Sequence, residues 1–147
     1  KFLMIGNGEN KKSMAYVENV AGFIHHCLNL GQGLHVYNYI DKPDINMNQL
    51  VSQVRSIVFG KASVGIRLPK LFALPIGFIA DCIALISRRS LPVSSIRVKK
   101  FISTTQFSSR ADKTGFIPPV TIKEGLERTI QYEFLEDNSD KKVFETE

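Results

Sequence analysis

The chain has 147 residues, of which 44% are hydrophobic and 22% charged, the proportions of an ordinary soluble domain that can bury a sizeable core. Its net charge of +5 is compatible with a nucleic acid, an anionic membrane or a small anionic ligand as partner. The basic residues are spread along the chain without the interleaved aromatic residues of a base-stacking surface. We therefore exclude nucleic acid and expect a small anion such as a nucleotide diphosphate.

Two features of the sequence bear on the cellular compartment of the protein. Cys27 and Cys82 lie among apolar neighbours at helical spacing, which is typical of reduced core residues and favours a cytoplasmic protein. The apolar run Leu71 to Ile86 has 16 residues, fewer than the roughly 20 that span a bilayer, and it contains Pro75 and Asp81. We expect a buried or interface helix here rather than a membrane segment, with surface attachment as the alternative.

The first predicted elements surround a glycine loop. Phe2 to Ile5 is typical of a strand that ends at Gly6. Gly6 and Gly8 permit positive φ and a close backbone approach to a ligand, and Lys12 and Ser13 add an ammonium and a hydroxyl donor. The pattern predicts a binding edge, with an ordinary hairpin turn as the alternative.

A short strand, Met14 to Val17, and a helix that begins near Glu18 or Asn19 are predicted next, with Gly31 as the stop. The apolar spacing predicts one buried stripe on this helix, formed by Val20, Phe23, Ile24, Cys27 and Leu28. His25 and His26 diverge by about 100° around the helix axis. They therefore cannot readily share a metal ion, and we expect one surface and one boundary histidine and no metal site.

The middle of the chain predicts a strand over residues 34–40, because the run alternates and is rich in aromatic and β-branched residues. A loop is expected from Asp41 to Asn46. Asn46 and Gln49 are in capping-box register at the start of the next helix, which Gly60 ends. Its expected buried stripe consists of Leu50, Val54, Ile57 and Val58.

After a short strand over residues 64–68, an apolar helix is expected from Leu71 to Ser87, with Pro75 in its first turn. Because its apolar residues run nearly all round, we expect burial on more than one side, against the rest of a larger protein or a second subunit. In this chain alone we expect the helix to be partly bare and to favour self-association. Ser94 or Ser95 is expected to cap a short basic helix that carries Arg97, Lys99 and Lys100.

The last elements are a strand over residues 102–107, one helical turn from Ser109 to Gly115, and a final helix. Thr121 and Glu124 are in capping-box register at its start, and its stripe is Ile122, Leu126, Ile130 and Phe134. We expect one substrate-binding domain over residues 1–135. Residues 136–147 form a charged tail that is predicted to be disordered.

Two runs carry a resemblance to a known family. Gly6 to Ala21, G-N-G-E-N-K-K-S-M-A-Y-V-E-N-V-A, and Phe107 to Leu126, F-S-S-R-A-D-K-T-G-F-I-P-P-V-T-I-K-E-G-L, resemble the C-terminal half of extended short-chain dehydrogenases/reductases. These are the NAD-dependent epimerases and dehydratases of nucleotide sugars. The resemblance implies an α/β fold, namely the C-terminal substrate-binding portion with a few short strands, several helices and no Rossmann half.

The resemblance also implies what this chain lacks. Neither the family's G-x-x-G-x-x-G loop nor its Y-x-x-x-K pair occurs in the sequence, so no catalytic and no cofactor-binding residue is assigned. NAD or NADP is implied for the full-length protein only, and no cofactor is expected on this chain alone. The N-terminal Rossmann half is the implied partner, and a homodimer is a second possible partner.

The resemblance assigns substrate contacts to the loop residues Gly6, Asn7 and Gly8, and to Lys12, Ser13 and Arg97. Lys12 falls where the family motif has an arginine. Arg97 lies near the arginine that clamps the substrate diphosphate in several members, although a solvated basic face is the alternative for it.

Two functions from different classes follow. The first is the substrate-binding portion of an NAD(P)-dependent nucleotide-sugar epimerase, dehydratase or reductase, which holds the nucleotide diphosphate while the Rossmann half supplies cofactor and catalytic residues. The second is a stand-alone, non-enzymatic α/β binding or interaction module, attached to a membrane through Leu71 to Ile86.

Overall fold

A computed structural model describes residues 3–87 and 94–137. The fold is α/β, with five α-helices and a few short strands in these residues, as the resemblance implied. In chain order the elements are β1 Met4–Ile5, β2 Lys11–Met14, α1 Val17–Cys27, β3 Asp41–Asn46, α2 Met47–Phe59, β4 Arg67–Leu68, α3 Lys70–Ser87, α4 Ser95–Ile102, a 3₁₀ turn Ala111–Thr114, and α5 Ile122–Phe134.

The four strands form two separate pairs. β1 runs parallel to β4, with Met4 opposite Arg67. β2 runs antiparallel to β3, with Lys11 opposite Asn46, and the register shifts before Met14 reaches Asp41. The glycine loop therefore connects the first strand of one pair to the first strand of the other.

The predicted strand over residues 34–40 is wrong, and the predicted loop from Asp41 to Asn46 is strand β3. An alternating sequence becomes a strand only where a neighbouring strand supplies hydrogen bonds. In the described part of the chain residues 34–40 pair with no strand, and Leu34 and Val36 are exposed. β3 instead finds β2 as its partner, although its composition is polar.

Two other strand predictions are wrong in position or kind. The strand expected at Met14 to Val17 lies at Lys11–Met14, and α1 begins at Val17. The strand predicted over residues 102–107 is not formed. Ile102 is the last residue of α4, and Thr105 pairs with Lys12 through one isolated bridge.

The ends of α2 and the starts of α4 and α5 follow the predicted capping chemistry, whereas α1 ends at Cys27, before the predicted stop at Gly31. Asn46 and Gln49 form the full capping box of α2, and Gly60 ends that helix with φ +67°. Ser94 is the α4 cap, since its side chain accepts from the Arg97 N–H. The Thr121 side chain accepts from the Glu124 N–H at the start of α5.

The buried core is small. Met4, Met47 and Val51 form its centre, with Leu50, Val64 and Phe101 packed against them. The expected stripe of α2 is only half-buried, because Leu50, Val54 and Val58 line a cavity of about 520 Å³ between α2, α4 and α5.

The buried side of α1 also differs from the prediction. Phe23 is buried as expected and stacks on Tyr39, with ring centroids 5.0 Å apart. Ile24 and Leu28 are exposed, and Asn19 is fully buried in their place. The helix is thus rotated toward a polar contact that its apolar spacing does not reveal.

α3 is partly bare in this chain, as expected for the chain by itself. Only 17% of the helix is buried, and its buried residues are Ala73, Gly77 and Ala80. Pro75 lies beyond the first turn because the helix already begins at Lys70. Cys82 is exposed rather than a core residue, while Cys27 is half-buried. The predicted tail lies outside the described residues from position 138 onward.

Candidate functional site

The glycine loop adopts the backbone that the sequence predicted. Gly6 and Gly8 have φ of +74° and +70°, a region that only glycine enters without strain. A Cβ on Gly8 would overlap the side chains of Met4 and Asn48. The close approach at Gly8 is therefore made by the protein's own side chains.

Two residues that the sequence analysis missed hold this loop in place. Asn48 Nδ2 and Arg67 Nη1 donate to the Asn7 carbonyl oxygen at 2.9 and 2.8 Å. The Asn48 N–H donates to the Gly8 carbonyl oxygen at 3.0 Å, and Arg67 Nη2 donates to Asn48 Oδ1 at 3.0 Å. Gly6, Asn7 and Gly8 thus form one clamped loop. Neither clamp residue has a motif of its own in the sequence.

Lys12 lies beside the end of α4. Its ammonium donates to the Lys100 carbonyl oxygen at 2.7 Å and to Thr105 Oγ1 at 3.3 Å. Because Lys100 is in the last turn of α4, this contact satisfies a helix-terminal carbonyl and places a cation where the helix dipole favours one. An ammonium has three donors, so Lys12 retains capacity for one further acceptor.

The Ser13 hydroxyl is part of a polar cluster around Asp44. It donates to Asp44 Oδ1 at 2.8 Å and accepts from the Phe107 N–H at 3.0 Å. Asp44 also accepts from Gln106 at 2.8 Å and from Lys42 at 2.9 Å. These hydrogen bonds, led by that of Gln106 and then that of Lys42, lower the pKa of Asp44 to about 2. Ser13 therefore helps to join β2, β3 and the segment after α4.

A basic cleft, which we call the lysine cleft, lies where β2 meets α4. It has a volume of about 490 Å³ and is lined by Lys12, Ser13, Ile96, Lys99, Lys100, Ser103 and Thr105. Of the predicted site residues, Lys12 and Ser13 line it, whereas Arg97 and the loop Gly6 to Gly8 do not. The structure adds Lys99 and Lys100 to the predicted site residues. In the sequence they were noted only as part of a basic helix.

A buried polar cluster beside α1 was also missed. Asn19 Nδ2 donates to Asp41 Oδ1 at 3.0 Å and to the Val120 carbonyl oxygen at 2.7 Å, and Asn19 Oδ1 accepts from the Val120 N–H at 3.1 Å. The Tyr39 hydroxyl donates to Asp41 Oδ1 at 2.7 Å. Burial and then this bond to Asp41 raise the pKa of Tyr39 above its usual range. The cluster ties α1, β3 and the segment before α5 together.

The two adjacent histidines occupy different environments. His26 Nε2 lies 3.0 Å from the Thr114 carbonyl oxygen and is half-buried, while His25 is exposed. The prediction of one surface and one boundary histidine is confirmed. Across residues 3–87 and 94–137, no group of three or more histidine, cysteine or acidic side chains is placed to hold a metal ion.

The described residues do not fit a dinucleotide cofactor. A dinucleotide fold places the pyrophosphate at a helix N-terminus directly after the glycine-rich turn. Here the loop after β1 leads into strand β2, and α1 begins only at Val17. We therefore assign no cofactor contact to residues 3–87 and 94–137.

The described residues thus define an α/β portion with a glycine loop and a basic cleft. Over its whole length, the chain is 44% identical to part of the N-acetyl-alpha-D-glucosaminyl-diphospho-ditrans,octacis-undecaprenol 4-epimerase of Escherichia coli O157:H7, of which it covers 45%. The matched part is C-terminal. No protein-family model and no solved structure matches the chain.

The chain is therefore related to the C-terminal part of a sugar epimerase of the NAD-dependent epimerase family, and the resemblance stated from its motifs is confirmed. It spans less than half the length of that relative.

Proposed function

We propose that the chain is the substrate-binding portion of an NAD(P)-dependent 4-epimerase that acts on a sugar carried by a diphosphate. The observation that carries this proposal is the identity of 44% over the whole chain to an epimerase whose named substrate is a sugar joined through a diphosphate to undecaprenol. A nucleotide sugar contains the same sugar diphosphate. The shared chemistry is the diphosphate, and the carrier beyond it is a nucleoside or a polyprenol.

The lysine cleft is the place that we assign to the diphosphate. Lys12, Lys99 and Lys100 line one cleft of about 490 Å³, and clustered ammonium groups are strong phosphate donors. Lys12 is fixed by the Lys100 carbonyl oxygen and Thr105, so its charge is placed before any ligand arrives. Arg97 lies on the same helix as Lys99 and Lys100. It is therefore a further candidate for contact with the diphosphate at the edge of the lysine cleft.

The role of these residues is to bind and orient. Holding the diphosphate fixes the attached sugar at a set distance from the reacting groups, and such positioning lowers the barrier of a step that takes place elsewhere. Cofactor and proton-transferring residues belong, in this proposal, to the rest of the full-length protein.

The first test is the activity of the full-length protein. We expect it to convert N-acetylglucosamine linked through a diphosphate to a polyprenol, or to a nucleoside, into the 4-epimer, as measured by sugar analysis after hydrolysis. The two substrates are supplied separately, so that the one turned over identifies the carrier. If neither sugar is epimerised, the proposal is wrong and the non-enzymatic interaction module is the remaining function.

The second test concerns the cleft. Lys99→Gln with Lys100→Gln removes two exposed ammonium groups and leaves the helix-forming stem in place. We expect the substrate KM to rise about tenfold, which corresponds to ~1.4 kcal/mol of lost binding, with kcat and cofactor affinity little changed.

Lys61→Gln is the matched control, because Lys61 is exposed and lies outside the cleft. An unchanged KM in the double variant, or the same rise in the control, contradicts the assignment of the lysine cleft to the diphosphate.

A further inference from the structure

Helix α3 has its large apolar residues on the outside. Its buried residues are the small Ala73, Gly77 and Ala80, spaced three or four apart on one face. The outward residues Phe72, Ile76, Phe78, Ile79, Ile83 and Ile86 are between 47% and 83% exposed. A helix on the surface of a water-soluble domain buries its large apolar residues and exposes polar ones. α3 has the opposite arrangement.

α4 packs against the small-residue face of α3. A Cβ on Gly77 would lie 2.8 Å from Ser95 Cα, so the two backbones are in close contact. Asp81 Oδ1 and Oδ2 accept from the Ser95 N–H at 3.3 and 3.2 Å. This contact turns the only acidic side chain of α3 toward the N-terminus of α4, where a negative charge is favoured, and away from the large apolar residues.

The net charge of the chain is concentrated in the same segment. Between positions 70 and 102, six basic residues accompany one acidic residue, which gives +5 and equals the net charge of all 147 residues. The basic residues are Lys70, Arg88, Arg89, Arg97, Lys99 and Lys100. The rest of the chain is therefore neutral, and the basic excess accompanies the exposed apolar helix.

An exposed apolar helix within a basic segment of sequence has the chemistry that binds an anionic lipid bilayer, where each nearby cation adds attraction to the lipid headgroups. A second copy of this chain fits less well, because two segments of charge +5 would repel each other. We propose that α3 and α4 dock the protein on an anionic bilayer, with the large apolar residues of α3 inserted among the lipids.

The helix lies in the membrane interface rather than across it. α3 has 18 residues and is long and apolar enough for a span, but its length of about 27 Å barely matches a hydrocarbon core of ~30 Å. Pro75 and Asp81 lie inside it, and Asp81 is bound to α4. This attachment keeps the helix beside the domain. The docking itself does not depend on the proposed function. Only the purpose of the docking rests on it, because a sugar linked to a polyprenol is held in a bilayer.

The test is flotation of the full-length protein with vesicles of phosphatidylcholine and phosphatidylglycerol. We expect the wild type to float with these vesicles and less with phosphatidylcholine alone, with binding reduced by salt. Ile79→Glu with Ile83→Glu places two charges on the inserted face. It should lower vesicle affinity about a hundredfold, since two isoleucine side chains no longer enter the lipid.

Ile24→Glu is the matched control, because Ile24 on α1 is exposed to 62% and Ile79 to 60%. This variant should float like the wild type, and circular dichroism should show that all three proteins are folded. The inference is overturned if the wild type does not float, or if the double variant floats equally well. It is also overturned if the double variant changes only the oligomeric state, measured by light scattering, because α3 would then join two copies.

Flotation needs no sugar substrate, and epimerisation of a nucleoside-diphosphate sugar needs no vesicle. A wild-type protein that is active but does not float overturns the docking alone. Flotation without activity on either substrate overturns the proposed function and leaves the docking in place.

Discussion

Two regions of this molecule are held together in different ways. Around α1, β2 and β3 the contacts are specific polar ones, such as the bonds of Asn19 to Asp41 and Val120 and those of Ser13 to Asp44. In the α3–α4 pair the contact is a close approach of small residues, with Asp81 as its polar element. The first region has as many acidic as basic residues, whereas α3 and α4 together carry four basic residues and one acidic residue. The difference separates a part built for a fixed shape from a part built to meet an apolar, anionic surface.

The largest expected effect is in the polar region. Asn19→Ala leaves the Val120 N–H and carbonyl oxygen without their buried partner and removes one of the donors to Asp41. Because each unsatisfied buried group costs about 1–3 kcal/mol, we expect the free energy of unfolding to fall by ~3 kcal/mol, as measured by urea denaturation. Asn29→Ala is the control, since Asn29 is exposed and should change the free energy of unfolding very little. A loss below about 0.5 kcal/mol for Asn19→Ala would mean that the cluster does not fix the shape.

The second largest expected effect is on the close contact between α3 and α4. Gly77→Ala adds one methyl group, which would lie 2.8 Å from Ser95 Cα and 3.0 Å from Ser95 N. Alanine favours a helix over glycine by about 1 kcal/mol, yet we expect a net loss of ~1–2 kcal/mol because the two helices must move apart. Gly31→Ala has open space around it and serves as the control. A more stable Gly77→Ala protein would contradict the close contact.

The smallest effect is a dependence of stability on pH. The pKa of Asp44 is lowered to about 2 in the folded protein, against about 3.9 for an unperturbed aspartate. The stabilisation is therefore fully present above pH ~4 and is lost as the pH falls from there toward 2. We expect the melting temperature of the wild type to fall more steeply over this range than that of Asp44→Asn. Parallel curves would show that Asp44 has no favourable partners when charged.

Local chemistry could be predicted from the sequence, and long-range partners could not. The Asn46 capping box, the Gly60 stop and the left-handed loop glycines depend on residues a few positions apart, and all were predicted correctly. β3 was missed because its polar side chains are satisfied by distant partners, such as Ser13 for Asp44. Residues 34–40 were predicted as a strand on alternation alone, which says nothing about whether a second strand is available.

The candidate site shows the same limit. Lys12 and Ser13 were named from a local motif, but their contacts with Lys100, Thr105 and Phe107 come from the far end of the chain. For α3 the apolar run correctly predicted a helix. Its hydrophobicity indicated that another surface covers the helix, but a sequence does not state whether that surface is protein or lipid.

The most direct measurement of the account uses Cys82, which is exposed on α3. With the half-buried Cys27 replaced by serine, a polarity-sensitive fluorophore on Cys82 of the full-length protein reports the surroundings of the outward face. We predict a blue shift of its emission when vesicles of phosphatidylcholine and phosphatidylglycerol are added, and no shift for the same label on Ser56→Cys in α2. An unchanged emission at Cys82, or equal shifts at both positions, would contradict the claim that this face meets lipid.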